Sequence, residues 1–143
     1  MADSDPRPFG QQRKSWHLLV ERAESLALSD LDEPLRISSL CRILAVSERT
    51  LRKSFHQIHG IAPSRHLRMS RLSHARRALL LADSKMATVT EIATAFGFVE
   101  LGRFSVEYRK VFGESPSETL RRGANWQTVS IPRLGSENPG LAA

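Results

Sequence analysis

An internal repeat is the feature that most constrains the fold of this chain. Residues 40–46 (LCRILAV) match residues 92–98 (IATAFGF) at an offset of 52 positions. After one extra residue the offset becomes 53. From there the apolar positions recur together with the Gly, Pro and Ser residues between them. The matched positions are Leu51, Phe55, Ile58, Gly60, Pro63, Ser64, Leu67 and Arg68 with Phe104, Tyr108, Val111, Gly113, Pro116, Ser117, Leu120 and Arg121. So much agreement in register predicts two copies of one structural unit.

Each copy has the pattern of a short helix, a tight turn and a second helix. A small residue, Cys41 or Ala93, lies where the partner helix must approach closely. Gly97 occupies the turn of the second copy, where a positive φ is easily adopted. Ala45 occupies that turn in the first copy, at a strain of about 1–2 kcal/mol if the position is left-handed. The pattern predicts a duplicated helix-turn-helix; a generic pair of helical hairpins is the alternative.

Helical periodicity extends on both sides of the repeat and predicts an all-α fold of about seven helices. No segment of useful length alternates between apolar and polar residues with period two, so no sheet is expected. The predicted divisions are an irregular arm over 1–14, a double helix-turn-helix domain over 15–122 and a flexible tail over 123–143. Within the domain we expect a first subdomain over 15–62, a linker helix over 64–81 and a second subdomain over 88–122.

The excess of positive charge is confined to one stretch. The chain carries a net charge of +6. Residues 47–81 hold eight arginines and lysines against Glu48 alone, and the other segments are close to neutral. Such a concentration favours a polyanionic partner. A solvated helix face is the alternative.

The second helix of the first copy has a polar, basic face. At about 100° per residue Leu51, Phe55 and Ile58 point inward, and the basic side chains lie opposite. Arginine and lysine can reach the O6 and N7 atoms of guanine in the major groove. The candidates for DNA base readout here are Arg49, Thr50, Arg52 and Lys53. The candidates for DNA backbone contact are Ser47, His56 and Ser64.

The second helix of the second copy has fewer hydrogen-bonding groups to offer. Phe104, Tyr108 and Val111 are expected to point inward. The candidates for base readout are the outward positions near the start of this helix: Gly102, Arg103, Ser105 and Val106. Further along the helix, the candidates for phosphate contact are Arg109 and Lys110. We therefore expect the first copy to dominate polar base readout and the second to contribute shape and apolar contact.

Arg71 falls within the apolar stripe of the predicted linker helix. That position suits a structural ion pair, for instance with a carboxylate of the second copy, better than a contact to DNA.

These residues resemble the DNA-binding domain of the AraC/XylS family of bacterial transcription regulators. The most specific part is TVTEIATAFGFVELGRFSVEYRKVFGESPSETLRR, residues 88–122, and LCRILAVSERTLRKSFHQIHGIAPSRHLRMSRL, residues 40–72, is similar to the family's first unit. The resemblance implies two units on a rigid linker helix that enter adjacent major grooves, often with DNA bending. It assigns base contacts to the eight readout positions above. Three positions depart from the usual pattern of the family. Gly102 replaces a polar residue, Cys41 replaces alanine and Ala45 replaces glycine.

The resemblance also implies that the chain regulates transcription, as an activator or sometimes a repressor, through RNA polymerase. The expected partners are therefore double-stranded DNA and RNA polymerase, in the bacterial cytoplasm and associated with the nucleoid. No membrane segment, secretory signal or small-molecule effector site is visible. The alternative is a truncated regulator fragment that acts as a protein-interaction module on RNA polymerase or on a full-length relative.

No enzyme activity, metal or cofactor is expected. There is no Gly-x-Ser-x-Gly elbow and no glycine-rich phosphate loop. Cys41 lies on a core face, where a thiol packs and does not react. His56, His59, His66 and His74 have a spacing that fits no zinc pattern.

Overall fold

The computed structural model describes residues 9–29, 31 and 34–130, and within these it contains seven helices and no strand. This confirms the predicted all-α fold. The helices are α1 (Phe9–Ser29), α2 (Ile37–Leu44), α3 (Glu48–His59), α4 (Pro63–Leu81), α5 (Val89–Ala95), α6 (Leu101–Phe112) and α7 (Pro116–Ser130).

The chain forms two compact units, and α4 contributes to both. The first unit comprises the described residues up to His74 together with Thr94–Val99. The second comprises Ala75–Ala93 and the described residues from Glu100 onward. The sequence suggested a linker helix separate from both subdomains, but the boundary between the units lies inside α4. The reason is that each half of this helix has packing partners of its own.

The core of the first unit lies between α1, α2 and α3. It is built from small and aliphatic side chains around one aromatic ring: Val20, Ala23, Ala27, Leu40, Cys41, Leu51, Phe55 and Leu67. Leu51 and Phe55 are fully buried, as the helical periodicity predicted. Burial, and to a lesser extent the charge of Glu48, raises the pKa of the Cys41 thiol, so this residue packs as an inert apolar group.

The core of the second unit centres on Tyr108. Phe104 and Tyr108 are fully buried, as predicted. Val111 was expected to point inward, but its side chain is 40% exposed. Phe112 packs against Tyr108 instead, with ring centroids 4.7 Å apart. The buried face of α6 thus follows an i, i+4, i+8 spacing, which keeps three aromatic rings in one row.

A chain of hydrogen bonds links Tyr108 to the beginning of α7. The Tyr108 hydroxyl donates to Thr119 Oγ1 (2.7 Å), and Thr119 Oγ1 donates to Glu114 Oε1 (2.8 Å). Arg122 Nη2 donates to the same carboxylate oxygen at 2.7 Å. Burial raises the pKa of the Tyr108 hydroxyl, so Tyr108 remains a neutral donor and the buried hydroxyl is satisfied.

Two helices are longer than the sequence suggested. The arm over 1–14 was expected to be irregular, but α1 begins at Phe9. The reason is that Gln11 to Lys14 are good helix formers and no proline interrupts the sequence after Pro8 in this arm. The flexible tail was expected from residue 123, but α7 continues to Ser130. Gly123 does not end this helix; it lies where the helix touches the backbone of Leu80. Residues 1–8 and 131–143 lie outside the described residues.

The turn of the first copy holds a strained residue. Ala45 has φ 54° and ψ 42°, and it is the one non-glycine residue with positive φ in the part of the chain that the structure describes. Gly97, its counterpart in the second copy, has φ 82°. The repeat therefore preserves the backbone conformation of the turn although the residue type differs.

Replacement of Ala45 by glycine is expected to stabilise the protein by about 1 kcal/mol. The left-handed strain of about 1–2 kcal/mol is relieved, and the larger backbone entropy of glycine in the unfolded chain offsets part of the gain. Ala45 is exposed, so no packing is lost. Urea denaturation measures the change, and Gly97→Ala is the matched control, with an expected loss of similar size. An A45G protein that unfolds at lower urea than the wild type would contradict this account.

Candidate nucleic-acid interface

The first turn of α3 is fixed by its N-cap. Ser47 caps this helix: its Oγ accepts a hydrogen bond from the Thr50 backbone N–H (3.1 Å). The same Oγ donates to Thr50 Oγ1 (3.0 Å). The proton of Ser47 is therefore used within the protein, and the proton of Thr50 can be offered to an outside acceptor. Such a cap is worth about 1 kcal/mol and orients the residues that follow it.

The outward face of α3 carries basic side chains and a histidine. Arg49, Arg52, Lys53 and His56 are all exposed, and the apolar residues between them are buried in the core of the unit. The ammonium group of Lys53 lies 5.8 Å from the centre of the Trp16 ring of α1. At an exposed site this cation–π contact is worth only about 0.5–1 kcal/mol, so it does not prevent Lys53 from reaching a ligand.

Ser64 lies in the first turn of α4, directly after Pro63. Its side chain is exposed. The first backbone N–H groups of a helix have no intrahelical acceptor and favour anions. Ser64 is therefore placed where a phosphate contact is chemically reasonable.

The outward face of α6 carries less charge near its start. Gly102, Arg103 and Val106 are exposed, and Ser105 is half-buried. A Cβ atom added at Gly102 would meet nothing within 4 Å, so the backbone of α6 is open to solvent there. Val106 is 56% exposed and offers only apolar contact.

Arg103 has a partner that the sequence analysis missed. Its Nε donates to Glu107 Oε1 at 3.1 Å. The four-residue spacing on one helix was the available signal. An exposed pair of this kind is worth about 0.2–1 kcal/mol, so Arg103 can leave it, but the carboxylate keeps a negative charge on this face. Arg109 and Lys110 are exposed in the last turn of the helix.

Arg71 is structural, and one of its partners is a backbone carbonyl group. Only 4% of the residue is exposed. Its Nε donates to the backbone carbonyl of Ala27 (3.0 Å), near the end of α1 in the same unit, where the sequence had suggested a carboxylate of the second copy. The last carbonyls of a helix lack intrahelical donors and favour a cation, which explains this choice of partner.

Comparison with known proteins identifies the family to which the chain belongs. A family model described as a helix-turn-helix domain matches residues 40–122. The crystal structure of a transcriptional regulator of the AraC-type DNA-binding domain-containing proteins, from Chromobacterium violaceum, superposes with a TM-score of 0.68. It is 29% identical, and the match covers 78% of this chain and 96% of that one. The chain belongs to the AraC/XylS family.

Two curated AraC/XylS relatives extend the comparison. A probable thc operon regulatory protein from Rhodococcus erythropolis is 44% identical over 103 residues, which cover 72% of this chain and 31% of the relative. A XylDLEGF operon transcriptional activator from Pseudomonas putida is 33% identical over 102 residues, covering 71% and 32%. The chain thus spans about a third of the length of the curated relatives it matches.

AraC/XylS proteins are DNA-binding transcription regulators and are generally not enzymes. In the described part of the chain, no helix combines the length and apolar character needed to cross a bilayer.

Proposed function

We propose that this chain binds double-stranded DNA in a sequence-specific manner and activates transcription, with α3 and α6 entering adjacent major grooves. The observation that carries the proposal is the exposed basic face of α3, fixed by the Ser47 cap and repeated in outline by α6. The net charge of +7 over residues 47–81 supports a polyanionic partner. The DNA-binding domain named for the Chromobacterium violaceum protein supports DNA as that partner.

Base readout is assigned mainly to α3. Arg49, Arg52 and Lys53 supply donors for guanine, and Thr50 supplies a methyl group for thymine or a hydroxyl proton for an acceptor. On α6 the Gly102 backbone allows close approach, Val106 contacts thymine methyl groups, and Arg103 and Ser105 add the few polar contacts. Each bidentate pair contributes about 1–3 kcal/mol of discrimination.

Positioning on the DNA backbone is assigned to groups of α3 and its N-cap, of the start of α4 and of the end of α6. Phosphate contacts set the register of the protein on DNA and carry no sequence information directly. The assigned residues are Ser47, His56, Ser64, Arg109 and Lys110. Ser47 acts here chiefly through Thr50 and the helix N-terminus, because its own proton is donated to Thr50.

The proposed activation acts through RNA polymerase. It would take place in the nucleoid, within the bacterial cytoplasm. The support is the transcriptional activator from Pseudomonas putida, which is similar to this chain over 102 residues. The DNA-bound chain would offer a surface to polymerase.

Alanine substitution of Arg52 and of Arg103 tests the division of labour between the helices. Arg52→Ala is expected to weaken binding to the preferred site by about 5- to 150-fold, equivalent to 1–3 kcal/mol, and to relax base preference at one position. Arg103→Ala is expected to cost less than about 5-fold, because this side chain is already engaged by Glu107. Fluorescence anisotropy with a set of single-base variants of the site measures both effects. If the two variants lost affinity equally on every sequence, the assignment of readout to α3 would be wrong.

A further inference from the structure

Three side chains from three helices of the first unit converge on one point. The Nε2 atoms of His59, at the end of α3, and of His66, on α4, lie 2.8 Å and 3.0 Å from the same carboxylate oxygen of Glu24 on α1. The two imidazole rings are stacked, with centroids 3.9 Å apart and 11° between their planes. Two imidazole nitrogens and a carboxylate oxygen are ligands that zinc and neighbouring divalent transition metals accept.

The hydrophobic core supports this cluster from one side. Phe55, which is fully buried, lies beneath both histidines, with ring centroids 5.9 Å from His59 and 5.7 Å from His66. The three side chains keep between 24% and 32% of their surface exposed. The cluster is therefore supported by the core and open to water on its other side, which is the setting of a three-ligand site with an open position.

We propose that Glu24, His59 and His66 bind a divalent transition-metal ion, with Zn²⁺ as the ion that suits this donor set. A metal ion at about 2.0–2.1 Å from each donor in tetrahedral geometry requires donor atoms about 3.4 Å apart. Each histidine nitrogen must therefore move about half an ångström away from the Glu24 oxygen, and the rings must tilt so that each ring plane includes the ion. Partly exposed side chains can make both adjustments, and water completes the coordination.

The ion would join the end of the α3 helix to α1 and α4. Binding to the folded state alone raises stability in proportion to the logarithm of the metal concentration over the dissociation constant. The proposal concerns the first unit by itself and does not depend on DNA binding.

Metal titration of the purified full chain, first stripped with a chelator, tests the site. Isothermal titration with Zn²⁺ is expected to show one ion bound per chain. Thermal unfolding in the presence of Zn²⁺ is expected to show a rise in Tm of several degrees. Co²⁺ is expected to give the visible absorption of a four-coordinate ion. Glu24→Gln and His66→Asn are each expected to weaken binding by at least about tenfold, since even outer ligand partners cost 10- to 100-fold.

His56→Asn and His74→Asn are the matched controls, because they remove exposed histidines of α3 and α4 that lie outside the cluster. Both are expected to bind Zn²⁺ as the wild type does. A purely structural cluster would make the metal-free variants less stable and give no Co²⁺ absorption in the wild type. The proposal would be overturned if the wild type bound Zn²⁺ no more tightly than E24Q or H66N. It would also be overturned if the two controls lost as much Zn²⁺ affinity as these variants.

Discussion

Raising the salt concentration from 50 to 200 mM is expected to weaken binding of this chain to its preferred DNA site by about 10³- to 10⁵-fold. This is the change for a protein that contacts about 6–10 phosphates, because each contact releases condensed counterions from the duplex. In the proposed function, the exposed basic residues of α3 and of the last turn of α6 are expected to provide a large share of these contacts. The preference for one sequence is expected to persist across the salt range.

The slope of log affinity against log salt gives the number of phosphate contacts at about 0.9 per contact. Lys110→Gln removes one exposed cation from the end of α6 and is expected to lower the slope by about one and to weaken binding to all sequences alike. Arg52→Ala is the matched comparison, since it changes base preference as well. A chain that acted only as a protein-interaction module would bind DNA without sequence preference or not at all, and this result would contradict the proposed function.

Replacement of Gly123 by alanine is expected to destabilise the second unit by about 3 kcal/mol or more. A Cβ atom at this position would clash with the carbonyl oxygen of Leu80 and would lie 2.8 Å from its Cα. These are backbone atoms of α4 and cannot move aside as a flexible side chain can. Overpacking typically costs about 1–3 kcal/mol, and a clash with backbone belongs at the upper end. Denaturant unfolding of the full chain measures the loss.

Gly102→Ala is the control for this prediction. Its added Cβ meets nothing within 4 Å on the surface of α6, so the same change is expected to stabilise the protein by about 0.5–1 kcal/mol through helix propensity. An alanine at position 123 that left stability unchanged would show that α7 does not approach α4 as closely as described.

Local patterns in the sequence were sufficient to predict α3 and the division of its residues between a buried and an exposed face. Ser47 is a cap residue, and Leu51 and Phe55 follow at helical spacing, so burial on one side and the basic residues on the other could be predicted before the structure. The turn at Ala45 was also predictable, because Gly97 stands at the matching position of the repeat. The features of α3 depend on residues within a few positions of one another, and the turn depends on the internal repeat.

Features that depend on distant packing could not be predicted in this way. A glycine near the end of a helical pattern usually marks the end of a helix, but Gly123 permits a close crossing with α4. Arg71 was recognised as structural, but its partner carbonyl at Ala27 lies 44 positions away. Glu24 lies 35 positions from His59, so histidine spacing alone gave no sign of the cluster.

Two capping boxes could have been found in the sequence and were not. Glu91 and Thr88 exchange side-chain and backbone hydrogen bonds at the start of α5, and Glu118 and Ser115 do the same at the start of α7. Both have the Ser/Thr-x-x-Glu spacing of this motif. The hydrogen bond from the Ser115 N–H lowers the pKa of the Glu118 carboxyl, so this box is complete at neutral pH and is lost as the pH falls through that lowered value.

Selection of bound sequences from random duplex DNA by the purified chain tests the central claim, that α3 and α6 each occupy a major groove. Two conserved half-sites about one helical turn apart, about 10–10.5 base pairs between centres, are expected. They should differ in sequence, because the exposed faces of α3 and α6 differ, and the half-site richer in guanine should be the one that Arg52→Ala relaxes. Enrichment of a single half-site, or of no sequence at all, would contradict the account.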